Sequence, residues 1–294
     1  MHIRFDGYEI GCTHDSDVFI TDYHIGETEI ETNDTDRLGR DGVMPGTDYL
    51  RDAQWVFALT VHDQEDTKGV LQRMAPLERA WKAWANRSKG RVALEYSTGH
   101  DGVWHKIYGR PRQYLPPRPD AQTAKGRSHA QLTFVQQDHL HYSADEASTT
   151  VGVAPGASGG LVAPIRVPIR VARTGGSTDR YANNDGDADA PVTLRFDGPV
   201  KDPQVRLQGG WAFTVRGSLE WDEYLVIDPL GWSATVYSTT SNRSRSAYTM
   251  IANGSRFTDL LLPPGHNVLE FQAVDDTYTA QVTASWPHTF MSMQ

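Results

Sequence analysis

The chain has 294 residues, 38% hydrophobic and 22% charged, which is enough apolar material for one large domain or two ordinary ones. Its formal net charge of −9 argues against general nucleic-acid binding, which needs an excess of Lys and Arg. The single cysteine, Cys12, excludes an intrachain disulfide and a thiolate metal cage, and no apolar run reaches the ~18 residues of a membrane span.

Residues 1–66 are acidic, with 4 Lys and Arg against 16 Asp and Glu. They begin without the apolar core of a signal peptide, so the sequons at Asn86, Asn242 and Asn253 are expected to be chance matches. Short β-branched and aromatic runs at 17–21 and 55–61 read as strands. Residues 67–86 read as one helix, because Val70, Met74, Leu77, Trp81 and Trp84 recur at three- and four-residue spacing. That apolar stripe is expected to pack on a sheet. Pro76 lacks a donor and is expected to kink or restart the helix, and Gly90 suits its exit.

Further strands are predicted at 91–96, 103–108 and 130–135. Residues 67–127 reverse the charge, with 13 basic and 4 acidic residues. Within them, 111–127 is rich in Pro and basic residues and reads as an extended arm or long loop. The acidic and basic segments either lie together in one domain or meet across subunits, where complementary charge helps set register. Arg110, Arg112, Arg118, Lys125 and Arg127 are the candidate interface residues.

Residues 152–164 are rich in Gly, Ala and Pro with almost no charge, which marks a linker. The predicted organisation is a β-domain with one helix over 1–155, a linker over 156–176 and a second β-domain over 177–294. A β-branched run at 165–171 contains Pro168, which restricts it to an edge strand or extended segment. Strands are then predicted at 192–196, 205–207, 211–215, 224–227, 233–237, 257–262, 268–271 and 279–286, a spacing that reads as a β-sandwich. The fold class is mainly β: a barrel-like first domain with one helix, followed by a sandwich.

Few residues suggest chemistry. His139 and His141 place two imidazoles at i and i+2, but zinc needs at least a third ligand, and nothing fixes His129 or Asp138 near them. Cys12 and His14 are too close in sequence to imply a catalytic pair. Residues 183–189 are dense in oxygen donors yet lack the Glu that closes an EF-hand, so a turn is expected. The acidic loops at 34–36 and 63–66 hold no carboxylate pair placed by a motif for glycoside hydrolysis. No enzymatic activity and no cofactor are expected. The aromatics Trp211, Trp221, Tyr224, Trp232, Tyr237, Tyr248 and Trp286 serve either a core, a protein interface or stacking on sugar rings.

The second half carries an ordered set of features: Gly159-Gly160-Leu161, then Asn184-Asp185-Gly186-Asp187-Ala188, Pro191, Phe196-Asp197-Gly198-Pro199, Asp202-Pro203, Leu225-Val226-Ile227-Asp228, Pro264-Gly265-His266-Asn267 and Val282-Thr283-Ala284-Ser285-Trp286. This order resembles the C-terminal half of the distal tail proteins and related minor tail proteins of long, non-contractile-tailed phages. Asp185, Gly186, Asp187, Gly198, Pro203, Gly265 and Asn267 then read as fold-specifying turn residues. Gly186 and Gly265 permit tight turns or positive φ, and Pro191 and Pro203 suit strand starts.

The resemblance implies a homo-oligomeric ring, usually of six subunits, at the distal end of the virion's tail. Its N-terminal domain would build the ring, and a galectin-like C-terminal domain would project outward. The implied partners are the tail tube protein, the tail-tip hub protein and receptor-binding proteins, with synthesis in the host cytoplasm and no nucleic-acid or membrane partner. A second reading is a tail module that recognises host cell-wall glycans through the C-terminal aromatics.

Overall fold

The computed structural model describes residues 1–12, 18–26, 29–62, 69–88, 90–99, 102–118, 126–153, 180–275, 277 and 279–293. The predicted linker at 156–176, the run at 165–171 and His14 lie outside these residues. The chain forms two compact units, Met1–Asp145 with Phe290–Gln294, and Glu146–Thr289.

The first unit contains β1 (His2–Phe5), β2 (Tyr8–Ile10), β3 (Val18–Ile25), β4 (Ile30–Glu31), β5 (Thr35–Asp36), β6 (Val43–Met44), β7 (Tyr49–Leu50), β8 (Ala53–His62), β9 (Val92–Ser97), β10 (His105–Leu115), β11 (Arg127–Gln136) and the start of β12 (His141–Gly152). Antiparallel pairing runs in the order β2-β1-β9-β10-β11-β8-β3. The two ends of this order meet: Gly11 bridges Phe19, and the Ile20 N–H donates to the Gly11 carbonyl at 2.8 Å. The sheet is thereby closed into a barrel, which leaves this edge short.

Alternation along the strands fills the barrel. Trp55, Phe57, Leu59 and Val61 of β8 are fully buried, as are Leu94 and Tyr96 of β9 and Leu132 and Phe134 of β11. Each large apolar side chain removed from water contributes roughly 1.5–3 kcal/mol. Helix α1 (Gly69–Lys82) lays Val70, Met74, Leu77 and Trp81 against this core. Trp81 packs between Phe5 and Phe134, with ring centroids 4.7 and 6.2 Å away.

The helix is not restarted at its proline, and it departs from expectation at its last tryptophan. α1 runs through Pro76 and breaks at Ala83, after which a short α2 (Trp84–Ser88) follows. Buried side chains on both sides of Pro76 hold the helix in register across the missing donor. The break has its own cause: Asn86 Nδ2 donates to the Ala80 carbonyl at 2.8 Å, and Arg87 Nε donates to the Lys82 carbonyl at 2.9 Å. Side chains thus take carbonyls that the next helical turn would have used. Trp84, beyond the break, leaves the stripe and is 73% exposed.

The Pro-rich stretch also differs. Residues 111–115 belong to β10 and pair with β11, from Pro111 opposite Phe134 to Leu115 opposite Gln131. A bulge between Pro111 and Gln113 accommodates the imino residue, and Trp81 Nε1 donates to the Gln113 carbonyl there at 3.1 Å.

The second unit takes the rest of β12 and β13 (Arg180–Asn184), β14 (Ala190–Pro191), β15 (Thr193–Asp197), β16 (Val200–Leu207), β17 (Ala212–Thr214), β18 (Ser218–Leu219), β19 (Glu223–Asp228), β20 (Ser233–Ser238), β21 (Ser244–Ser246), β22 (Leu261–Leu262), β23 (Gly265–Val274) and β24 (Gln281–Phe290), whose last residue lies in the first unit. One sheet runs β12-β24-β15-β19-β20-β21 and the other β13-β23-β16-β17, with β18 also on β16. Both sheets feed one core: Leu194, Phe196, Leu225 and Ile227 from the first, Val205, Phe213, Leu269 and Phe271 from the second. Phe196 and Phe271 meet with centroids 6.2 Å apart. The strand expected at 257–262 is a 3₁₀ turn, Phe257–Asp259, followed by the two-residue β22.

Candidate assembly surfaces

The acidic and basic segments of the sequence both belong to the first unit. Their most exposed part is a ribbon that sequence reasoning missed. The β3–β8 ladder continues past its last pair, Ile25 opposite Trp55, through Gly26 N–H to the Gln54 carbonyl. Ile30 then pairs with Leu50, and Asp36 with Val43 at the far end. Arg37 N–H closes the tip on the Gly42 carbonyl at 3.2 Å. Between the two paired stretches, the Asp34 carboxylate takes the Gly46 N–H at 3.0 Å and Asn33 Nδ2 donates to the Thr47 carbonyl at 2.9 Å. At ~3.3 Å per residue this arm reaches about 25 Å.

Every residue from 29 to 52 is exposed. Among them are the large apolar side chains Ile30, Leu38, Val43, Met44, Tyr49 and Leu50, and Leu38 at the tip is 99% exposed. The arm carries seven acidic and three basic residues, and Arg51 ties its base by ion pairs to Glu29 and Glu31, each at 3.5 Å. Two-residue strands and the lack of sustained alternation hide such a ribbon in the sequence. Gly39 and Gly42, both at positive φ, are a legible turn signal at its tip.

The predicted interface arginines are spread along β10 and β11. Arg110 donates from Nε to the Gly90 carbonyl at 3.2 Å. Arg112 is the exposed bulge residue, Arg127 is exposed at the start of β11, and Lys125 lies outside the described residues. Arg118 lines a groove of about 570 Å³ together with Ala58, Leu115, Pro116, Pro117 and His129.

His129 lies apart from His139 and His141. His141 lies against Trp55 and Tyr96, with Nδ1 2.7 Å from the Tyr96 hydroxyl. His129 sits on Thr60, five residues further along β8 or about 17 Å away, at 3.0 Å between Nδ1 and Oγ1. Asp138 accepts from the Leu140 N–H and the Tyr142 hydroxyl, both at 3.2 Å. Burial raises its carboxyl pKa against the opposing pull of Arg91. Among the described residues, no group of three His, Cys, Asp or Glu side chains is placed to hold a metal. Cys12 is exposed.

The motif residues of the second unit act as backbone fasteners. Asn184 is buried, and its Nδ2 donates to the Ala188 and Leu262 carbonyls at 2.8 and 3.0 Å. Its Oδ1 takes the Gly186 N–H at 3.1 Å. Asp185 accepts from Asn183 and faces His288, while the Ala188 N–H reaches the Thr289 carbonyl at 3.1 Å, so Asp187 lies inside a fastened turn. Gly186 owes its identity to a close approach, since a Cβ there would stand 1.8 Å from the Thr289 carbonyl oxygen. Gly265 does adopt positive φ, 88°.

Gly198 precedes a cis Pro199, and Pro203 lies inside β16, at a bulge between Lys201 and Gln204, rather than at the strand's start. The bulge leaves the missing donor without a ladder partner to satisfy. Asn267 Nδ2 donates to the Pro263 and Gly265 carbonyls at 2.8 and 3.0 Å.

The aromatics divide between core and surface. Trp286 is buried and donates to the Asn183 carbonyl at 3.0 Å, and Trp211 donates to the Leu261 carbonyl at 2.8 Å. Tyr224 and Tyr237 stack at 5.2 Å, with the Arg195 guanidinium 4.1 Å from the Tyr224 ring centre. Trp232 packs on Phe257 at 5.9 Å, Tyr248 donates to the Trp232 carbonyl, and Trp221 and Trp232 are 74% and 60% exposed.

No family model matches the chain, and no curated protein matches it. Solved structures do. The SPP1 Dit protein, described as a paradigm of hub adsorption apparatus in Gram-positive infecting phages, matches with a TM-score of 0.60 and 16% identity, over 98% of this chain and 98% of its own. Two structures of the phage P2 baseplate in its activated conformation, with Ca and with Sr, match with a TM-score of 0.54 at 14% and 12% identity, over 97% of this chain and 96% of theirs. From end to end, the chain has the fold of these phage hub and baseplate proteins.

Proposed function

We propose that the chain is a structural subunit of the distal end of a long-tailed phage's tail. Copies close into a ring, six in number, that joins the tail tube to the tail tip and its receptor-binding proteins. The observation that carries this reading is the correspondence with SPP1 Dit over 98% of both chains, which spans both units and not one shared module. The arm supports it, because six large apolar side chains exposed along one short ribbon suit an interaction site. The role is non-catalytic and needs no cofactor. Light scattering on the purified chain, with negative-stain images, tests it: a closed ring is expected, and a chain that stays monomeric at every attainable concentration overturns the ring.

Trp221 and Trp232 favour a second reading, a surface that stacks on host cell-wall sugars. It predicts saturable binding to a cell-wall glycan panel, lost on Trp232→Ala. A flat titration removes it.

A further inference from the structure

We propose that Trp232 is a strained, pre-set platform for one neutral pyranose unit of a host glycan. This rests on the sugar-stacking reading above and gives it one site and one ligand chemistry.

Trp232 stands out by its backbone. Among the described residues, four other than glycine have positive φ: Asp6, Asp202, Asn242 and Trp232. Asp and Asn tolerate the left-handed region because their short side chains bond locally, whereas a bulky residue there is an outlier. The loop 229–232 follows the last β19–β20 pair, Asp228 opposite Ser233. It contains a glycine, yet Gly231 is not the residue at positive φ. The Asp228 carboxylate takes the Gly231 N–H at 2.9 Å, and a Cβ at 231 would stand 2.4 Å from the other carboxylate oxygen. The glycine serves that approach, and the left-handed position falls on Trp232 at φ 49°.

Groups outside the loop hold this conformation. The Tyr248 hydroxyl donates to the Trp232 carbonyl, and the indole packs on Phe257, which meets Phe213 of the core at 6.4 Å. Such strain persists where the surroundings over-determine it, and it collects at binding sites. Core packing does not require it, since the indole stays largely exposed and Tyr248 is half exposed. Its effect is to present a fixed indole to solvent.

The surroundings select the ligand. A protein hot spot lies at the centre of a well-packed, desolvated patch. Phe257 is flanked instead by the exposed polar residues Arg256 and Thr258. A pyranose, with an apolar C–H face and a rim of hydroxyls, suits an aromatic with polar neighbours. A phosphate-rich polymer does not suit it. The charged residues beside these aromatics in the chain are Asp228, Arg256 and Asp259, and Arg245 is engaged by Glu223 through two bonds at 3.0 and 3.1 Å.

Saturation-transfer NMR and titration of the full chain test the platform. The probes are methyl β-glucoside, methyl β-galactoside, the N-acetylglucosamine trimer and poly(glycerol phosphate). At least one neutral probe is expected to bind with a Kd of about 1 mM, and the phosphate polymer is not. Trp232→Ala and Trp232→Gly are each expected to weaken binding at least roughly tenfold, and Trp221→Ala to leave it unchanged. Glycine relieves the positive φ that alanine retains, so the Gly variant is expected to melt above the Ala variant. Tyr248→Phe keeps the ring and frees the carbonyl, and is expected to weaken binding about threefold. Sugar binding that survives both Trp232 variants overturns the platform and leaves the sugar reading standing. An Ala variant that melts above the Gly variant overturns the strain, and binding of the phosphate polymer at this tryptophan overturns the ligand class. A wild-type chain that binds no neutral probe overturns platform and sugar reading together.

Discussion

The Tyr96 hydroxyl lies 2.7 Å from His141 Nδ1 inside the barrel, in a nest that Trp55 and His105 complete. Burial, reinforced by the neighbouring His105 and His139, lowers the His141 pKa from 6.5 to about 4. Burial also raises the Tyr96 hydroxyl well above its usual range, so the tyrosine stays a donor and the neutral imidazole its acceptor.

This pair predicts an acid-side loss of stability. The unfolded chain binds the imidazole proton below about pH 6.5, and the folded chain only near pH 4. His141's contribution is complete above pH 6.5 and is lost as pH falls toward 4, a change of roughly 3 kcal/mol. Asp138 works the other way, since its raised pKa favours the folded state as it protonates. Urea unfolding from pH 7.5 to 4 is expected to fall in this window for the wild type and to flatten for His141→Gln. Parallel curves for the two chains would refute the assignment.

Gly186 and Gly265 predict two unequal costs. At Gly186 an added Cβ would meet the Thr289 backbone at 1.8 Å, and backbone cannot rotate aside. Gly186→Ala is expected to cost more than about 3 kcal/mol, or to prevent the second unit from folding. Gly265 has open space around its Cβ position and only the strain of φ 88°. Gly265→Ala is expected to cost about 1–2 kcal/mol. Equal losses in denaturant would mean that the Thr289 approach relaxes.

The contrast between these glycines also shows what a sequence carries. Period-two runs such as 55–61 declare their buried face, because Trp55, Phe57, Leu59 and Val61 alternate with residues that point the other way. The stripe from Val70 to Trp81 is equally legible at its helical period. Pro76 does not restart the helix, because buried side chains on both sides hold it across the lost hydrogen bond. Pro111 misleads, because a bulge lets an imino residue sit inside a strand. The arm and the groove were not legible. One consists of two-residue strands, and the other exists only where residues 58, 115–118 and 128–131 converge. The arginines were legible as a basic segment, but their distribution over groove, bulge and strand end is a property of the barrel.

Trp81 and Trp84 occupy one predicted stripe and opposite environments. Trp81 is buried between Phe5 and Phe134 and donates to Gln113, while Trp84 is largely exposed beyond the break. Trp81→Ala is expected to cost about 3–5 kcal/mol through the cavity and the orphaned carbonyl. Trp84→Ala is expected to change stability by less than about 0.5 kcal/mol. Thermal melts of the two variants decide it, and a large loss at Trp84 would mean that α2 is covered in the protein studied in solution.

Asn86 fixes where α1 stops, and it does so with one amide group shared between the Ala80 carbonyl at 2.8 Å and the Asp6 carboxylate at 3.2 Å. Both partners are acceptors, so the position demands a donor. Asn86→Ala removes the donor and leaves the Ala80 carbonyl with only the longer Ala83 N–H bond at 3.3 Å, at a cost of about 1 kcal/mol. Asn86→Asp is nearly isosteric yet sets a second carboxylate against Asp6, and its loss at pH 7 is expected to exceed that of the alanine variant. Protonation relieves the repulsion, so the gap between the two variants is expected to narrow as pH falls below about 5. Adding Asp6→Asn to Asn86→Asp restores a donor–acceptor pair and is expected to recover part of the loss, read as a double-mutant cycle in urea. If Asn86→Asp matched the wild type at pH 7, the shared amide would not be what ends the helix.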